Sequence, residues 1–113
     1  IYVNFDRSQL IRIITNLVKN AIQSIPSNRI PRISIVVSSD DLEVTIIVKD
    51  NGSGVTDAIK SKIFEPRFTT KSSGMGLGLP MIKNIIETYN GSISFSTIIG
   101  EGSEFIVRFP KNN

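Results

Sequence analysis

The 113 residues of this sequence include neither cysteine nor histidine. Without cysteine there is no disulfide framework and no thiolate metal site. Without histidine no imidazole can act as a catalytic group or accept a phosphoryl group within these residues. Apolar runs are all far shorter than the roughly 20 residues that cross a bilayer, and no signal sequence is visible. A reducing, aqueous compartment fits these absences. Charge of one sign is also lacking: 13 basic and 10 acidic side chains are scattered along the chain and leave a net +3. That is a mild bias toward anionic ligands and not the basic patch of a nucleic-acid binder. The chain opens on Ile1 rather than Met, which reads as a piece of a longer protein whose targeting segments lie elsewhere.

What is present is 40% apolar residues in a chain of single-domain length, enough to build one core. After an extended start at Tyr2 to Phe5, Asp6 followed by Gln9 has the spacing of an N-cap with its capping-box partner. Leu10, Ile13, Ile14, Leu17, Val18, Ala21 and Ile25 recur at helical period, and Pro26 stops the pattern, so a helix is expected from Arg7 to Ser24. Arg32–Ser38 and Leu42–Asp50 are β-branched runs joined at Ser39-Asp40-Asp41, an antiparallel hairpin. Leu42, Val44, Ile46 and Val48 share one face of the second strand, and Asp50 ends that face with a carboxylate. Thr56 to Ile63 allows one or two helical turns before an irregular stretch from Glu65 to Gly74. Glycines 74, 76 and 78 lead into a second amphipathic helix, in which Pro80 is tolerated only near the first turn. Asn90-Gly91 closes that helix. Ser92–Thr97 and Glu104–Phe109 then alternate as two strands around Gly100-Glu101-Gly102. The order predicts an α+β fold with helices on one face of a mostly antiparallel sheet.

Three features carry chemistry. Asn16 and Asn20 sit four apart at one margin of the first helix, where an amide oxygen can ligate Mg²⁺ whose shell phosphates and waters complete; the pair equally suits a solvated flank. Asp50, on the buried side of a strand, is costly unless something satisfies it. An exocyclic amine such as that of adenine is one such partner, and simple initiation of the Asp-Asn-Gly turn is the other reading. Gly74-Met75-Gly76-Leu77-Gly78 before a helix lets backbone N–H groups approach phosphate, aided by the helix dipole. It is neither a Walker loop nor a dinucleotide fingerprint. Thr69, Thr70 and Lys71 precede it and can donate to phosphate oxygens, or form an ordinary polar loop.

Taken in order, Asn16-Leu17-Val18-Lys19-Asn20-Ala21, Asp50-Asn51-Gly52-Ser53-Gly54, Phe64-Glu65-Pro66-Arg67-Phe68-Thr69-Thr70-Lys71 and Gly74-Met75-Gly76-Leu77-Gly78-Leu79 resemble the N, G1, F and G2 boxes of bacterial two-component sensor histidine kinases. Gly100-Glu101-Gly102-Ser103-Glu104-Phe105 is similar to the family's closing turn. The resemblance implies a single catalytic and ATP-binding domain over residues 1–113, with the Bergerat fold: a two-layer α/β sandwich, its mixed, mostly antiparallel sheet of about five strands backed by helices. A mobile ATP lid would span about 55–75.

By position, the resemblance makes Asn20 the Mg²⁺ ligand and Asp50 the acceptor for the adenine amine. Gly52 and Gly54 would let the nucleotide sit close. Gly74, Gly76, Leu77 and Gly78 would line the phosphates, with Asn16 and Ser103 also at the nucleotide. Phe64 to Lys71 would supply the lid. Gln23 stands where many members carry a phosphate-binding lysine, which passes that contact to Lys19 or Lys71. Arg67 replaces a usual phenylalanine and receives no role.

Where the gyrase, mismatch-repair and heat-shock-chaperone branches place a glutamate that activates the attacking group, this chain has Asn16, which takes no proton at neutral pH. The implied function is presentation of Mg·ATP for γ-phosphoryl transfer to a histidine on a separate dimerisation domain, with no catalytic base in this chain. A response regulator would act downstream. The parent would be a homodimer working in the cytoplasm, its anchoring in the inner membrane left open, and this domain would touch neither membrane nor nucleic acid. A self-sufficient ATPase and a degenerate nucleotide-binding regulatory module are the alternatives.

Overall fold

The first helix, α1, spans Arg7–Gln23 and buries Ile13, Leu17, Asn20 and Ala21. Leu10 and Val18 pack at the edge of that stripe, as their spacing requires. Asp6 is the N-cap, its Oδ1 accepting from Ser8 N (2.9 Å) and Ser8 Oγ (2.8 Å). The Ser8 hydroxyl and then its N–H hold the carboxyl below the ordinary value. The reciprocal half of the expected capping box is not made: Gln9 Oε1 is buried without a partner among the described residues. Ser8 offers two donors to one carboxylate oxygen, and that settles the cap on the second helical residue instead of the third. The computed structural model describes residues 6–65 and 75–111, and of residues 75–77 the backbone alone. The extended start at Tyr2 to Phe5 therefore lies outside the described residues.

Strands β1 (Ile33–Ser39), β2 (Glu43–Asp50), β3 (Ser92–Ile98) and β4 (Gly102–Pro110) form one sheet in the order β1-β2-β4-β3. Among the described residues the sheet has four strands and every pairing is antiparallel, where about five strands in a mixed sheet were expected. The β1–β2 turn is closed by Asp40, whose Oδ1 accepts from Leu42 N (2.7 Å) and Glu43 N (2.9 Å). Those two N–H groups hold this carboxyl, too, below its ordinary value. Leu42 is taken up by the turn and is 77% exposed, so it does not share the core face assigned to it from alternation.

That core face is a ladder of directly opposed pairs between β2 and β4: Val44 with Phe109, Ile46 with Val107, Val48 with Phe105. The last rung is polar, Asp50 opposite Ser103. Antiparallel partners point to the same side of a sheet, so the packing that buries three hydrophobic rungs carries the Asp50 carboxylate inward with them. α1 and the later helix α3 (Met75–Thr88) cover this face, with Ile13, Leu17, Leu79, Ile82 and Ile86 in its core. The opposite face mixes an apolar row, Val36 beside Ile47 and Ile47 beside Ile106, with polar residues, among them an exposed Arg108 Nε to Glu43 Oε2 pair at 3.3 Å. Among the described residues no helix is long and apolar enough to cross a membrane.

Thr56 caps the short α2 (Asp57–Lys60) through its Oγ1, which accepts from Ile59 N at 3.3 Å. α3 starts earlier than glycine content suggested: it already includes Met75, so Gly76 and Gly78 lie in helix rather than in a loop before it. Pro80 is its sixth residue and removes the bond to the Gly76 carbonyl.

At its other end Asn90 takes the left-handed conformation (φ 65°), while Gly91 N bonds Ile86 O and Asn90 N bonds Glu87 O, a Schellman ending. The glycine serves a different purpose, because a Cβ on Gly91 would lie 2.5 Å from Arg108 O. Asn90→Gly should therefore leave stability within a few tenths of a kcal/mol, and Gly91→Ala should lose about 1–3 kcal/mol through overpacking against β4. Thermal melts of the two variants check this; equal midpoints would contradict it.

Candidate functional site

Three segments meet at the polar end of the sheet: the C-terminus of α1, the turn after β2 and the β3–β4 turn. Ser24, the C-cap of α1, accepts Ser53 N on its carbonyl at 3.0 Å. Ser53 O in turn accepts Gly100 N at 2.8 Å, and Val55 N donates to Thr97 Oγ1 at 3.0 Å. The turn after β2 is thus fastened to α1 on one side and to β3–β4 on the other.

Within this junction Asp50 is 5% exposed, and its Oδ1 accepts from Gly52 N (2.8 Å) and Ser103 N (3.3 Å). Among the described residues nothing bonds Oδ2. Two backbone donors on one oxygen fix the carboxylate's direction and leave the other oxygen as a directed acceptor. Ser103 is itself buried, its Oγ 3.0 Å from Thr97 Oγ1. Its contribution to this arrangement is therefore mainly its N–H.

Asn20 is 6% exposed, and no hydrogen bond of its side chain falls on a described residue, which leaves a buried amide with unspent capacity. Asn16 is half-buried, its Nδ2 tied back to Arg12 O at 2.8 Å. Its Oδ1 lies 3.1 Å from where a Cβ on Gly78 would stand, so α3 lies close against α1 at this pair. Lys19 is exposed. Phe64 packs edge-on to Phe105 (ring centroids 6.4 Å apart) and carries Lys83 Nζ 5.6 Å from its ring centre. Its ring is therefore joined to the sheet core.

The two glycines of the turn have a cause within the protein. A Cβ on Gly52 would land on Ser24 Oγ and lie 2.6 Å from Ser24 O; one on Gly54, whose φ is +74°, would lie 2.6 Å from Ile98 O. Thr69, Thr70, Lys71 and Gly74 lie outside the described residues, and for Gly76 and Leu77 only their place in α3 is described. Two hollows open beside Asp50, of about 270 and 670 Å³. Both are lined by Lys49 and Glu101 and neither by Asn16 or Asn20, so they lie apart from the helix side of the junction.

Sequence reasoning missed four contributors: Ser24, Arg29, Asn51 as a side chain, and Thr97. Arg29 Nη1 donates to Asn51 O (2.7 Å) and Gly52 O (2.9 Å). The Asn51 amide donates to Ile30 O and accepts from Arg32 N, both at 2.8 Å. Only Asn51 had a local signal, its place in an Asp-Asn-Gly turn; the others act across 22 or more residues.

Asp50, a buried strand-end carboxylate with one free oxygen, precedes a turn fastened to the end of α1, and α1 carries the buried Asn20 and, at Asn16, the contact with Gly78 of α3. Residues 5–113 match the family model described as histidine kinase-, DNA gyrase B- and HSP90-like ATPase. The chain belongs to this family. It is 35% identical to the catalytic domain of histidine kinase ThkA, with a TM-score of 0.84 over 96% of this chain and 70% of that one. Within the family it is therefore a histidine kinase catalytic domain, the ATP-binding part of such kinases. Sporulation kinase A of Bacillus subtilis is 39% identical over 98% of this chain, and the signal transduction histidine-protein kinase AtoS of Escherichia coli 37% identical over 97%. The chain spans 18% of the length of each. The α+β fold expected from the histidine kinase resemblance is the fold observed, with one strand fewer among the described residues.

Proposed function

We propose that this domain binds Mg·ATP and presents its γ-phosphoryl group to a histidine on a separate dimerisation domain of the same parent. The observation that carries the reading is the Asp50 carboxylate, fixed by two N–H groups through Oδ1 and open at Oδ2. Oδ2 accepts the exocyclic amine of adenine. Asn20 supplies the protein oxygen to Mg²⁺. A single buried amide fits this ion because Mg²⁺ keeps waters and takes phosphate oxygens, and no group of three His, Cys, Asp or Glu that could hold a metal occurs among the described residues. When bound, Mg²⁺ neutralises charge on the phosphate oxygens. Asn16 and Gly78 bring α3 against α1 beside that position, and Lys19 or Lys71 provides the phosphate contact, with Thr69, Thr70, Gly74, Gly76 and Leu77 alongside. Residues 55–75 form the lid.

Catalysis in this reading is positioning and charge stabilisation, as is general for phosphoryl transfer. No group of this chain takes the nucleophile's proton, because Asn16 stands where a base would be needed and histidine is absent. The parent acts as a homodimer in the cytoplasm and passes the phosphoryl group to a response regulator. The test is to incubate the chain with [γ-³²P]ATP and Mg²⁺, alone and with a histidine-bearing dimerisation domain. No acid-labile phosphate is expected on the chain alone, and label on the added histidine is expected in the mixture. Rapid release of inorganic phosphate by the isolated chain would sink this reading in favour of a self-sufficient ATPase. ATP binding without transfer to the histidine of its own parent would favour a regulatory module.

A further inference from the structure

We propose that Arg29, which touches no nucleotide in the reading above, is a positioning residue for base recognition; the inference rests on Asp50 being the adenine acceptor. The peptide unit joining Asn51 to Gly52 is held at both ends. Its oxygen accepts from Arg29 Nη1 at 2.7 Å, and its nitrogen donates to Asp50 Oδ1 at 2.8 Å. The next peptide unit is held in the same way, its oxygen by Arg29 Nη1 at 2.9 Å and its nitrogen by Ser24 O at 3.0 Å. One guanidinium nitrogen therefore fixes two successive peptide planes, and the first of them aims the carboxylate.

Two physical effects act in the same direction. A cation on a carbonyl oxygen polarises the peptide and strengthens the bond made by its N–H. Two acceptors converging on one donor also remove the freedom of the turn to rotate, which would swing Gly52 N away from Asp50. Arg29 is suited to this because its guanidinium is always charged and carries a planar array of donors. The surrounding loop holds Arg29 in turn, since the Asn51 amide clasps the backbone at Ile30 and Arg32 on either side of residue 31. The segment from 24 to 32, to which the proposed function assigns no ligand contact, thus governs how firmly Oδ2 is presented.

The experiment compares the 113-residue chain with Arg29→Gln, Arg29→Lys and Asp50→Asn, measuring Kd for Mg·ATP and Mg·GTP by competition and amide exchange at Gly52 by NMR. Arg29→Gln is expected to weaken ATP about tenfold, to narrow the ATP-over-GTP preference by a similar factor and to speed exchange at Gly52, because a charge-assisted bond is lost. Arg29→Lys, which keeps a cation, is expected to recover most of both. A purely structural role would lower ATP and GTP binding together and leave their ratio unchanged, and that result overturns the proposal. So does an Arg29→Gln chain with unaltered ATP affinity when Asp50→Asn has lost it. An unsubstituted 113-residue chain that binds no ATP, or an Asp50→Asn chain that binds it normally, overturns the adenine assignment and this inference with it.

Discussion

Asp50→Asn is expected to weaken Mg·ATP binding by roughly ten- to a hundredfold, the loss of one hydrogen bond to a charged acceptor worth about 1.5–3 kcal/mol. The substitution is informative because it spares the fold. An Asn Oδ1 can still accept from Gly52 N and Ser103 N, so the last rung of the β2–β4 ladder keeps its partners. What changes is the other atom, which becomes an N–H₂ donor facing the donor amine of adenine. Guanine carries an acceptor at the corresponding ring position, so the preference for ATP over GTP should narrow or reverse. Calorimetry with both nucleotides, beside a thermal melt, checks the prediction. An unchanged ATP affinity with an unchanged melting point would remove Asp50 from the role of base acceptor.

Gly102→Ala is expected to have the largest effect on stability, about 3–6 kcal/mol, against a total of about 5–15 kcal/mol for an ordinary domain. Gly102 has φ +139°, and a Cβ there would land on the carbonyl oxygen of Asp50, with Asn51 Cα only 3.0 Å away. Both obstacles are backbone, so no rotamer change relieves them; β4 would have to move away from β2 at the rung that holds Asp50. Gly100 provides the control. It also has positive φ (+82°), but a Cβ there would meet nothing within 4 Å, so Gly100→Ala should cost only the conformational strain, about 1 kcal/mol. Urea unfolding of the two variants separates close approach from strain. Equal losses at the two positions would mean that the contact with Asp50 has no energetic weight.

Much of this was legible from local pattern. The stripe of α1, the Asp40 turn and the inward parity of Asp50 follow from periods of 3.6 and 2 that packing enforces. The misreadings have local causes too. Leu42 continues the alternation of β2 but belongs to the turn, because Asp40 captures its N–H before the ladder begins. Glycines 76 and 78 argue against helix by propensity, yet α3 incorporates both; at Gly78 the contact with Asn16 offsets a preference of about 1 kcal/mol. Asp50 and the helix asparagines could be picked out because each is a polar residue on, or at the margin of, an apolar face. Arg29, Ser24 and Thr97 could not, since nothing in their neighbours distinguishes them from residues of an ordinary surface loop or strand. Gly102 was expected in the turn but begins β4, paired with Ile98, and its closeness to Asp50 exists only once β2 and β4 are paired.

The bond from Ser53 N to Ser24 O joins the β2 turn directly to the end of α1. Asn20 stands four residues before Ser24, about 6 Å along the axis at 1.5 Å per residue. One end of the proposed cleft therefore lies on α1, and the other is fastened to the end of the same helix through the 50–53 turn, so helical rise contributes to their separation. Under the proposed roles of Asp50 and Asn20, such a junction works as a gauge of the span between a purine ring and its charged tail, which a change in the length of α1 would recalibrate.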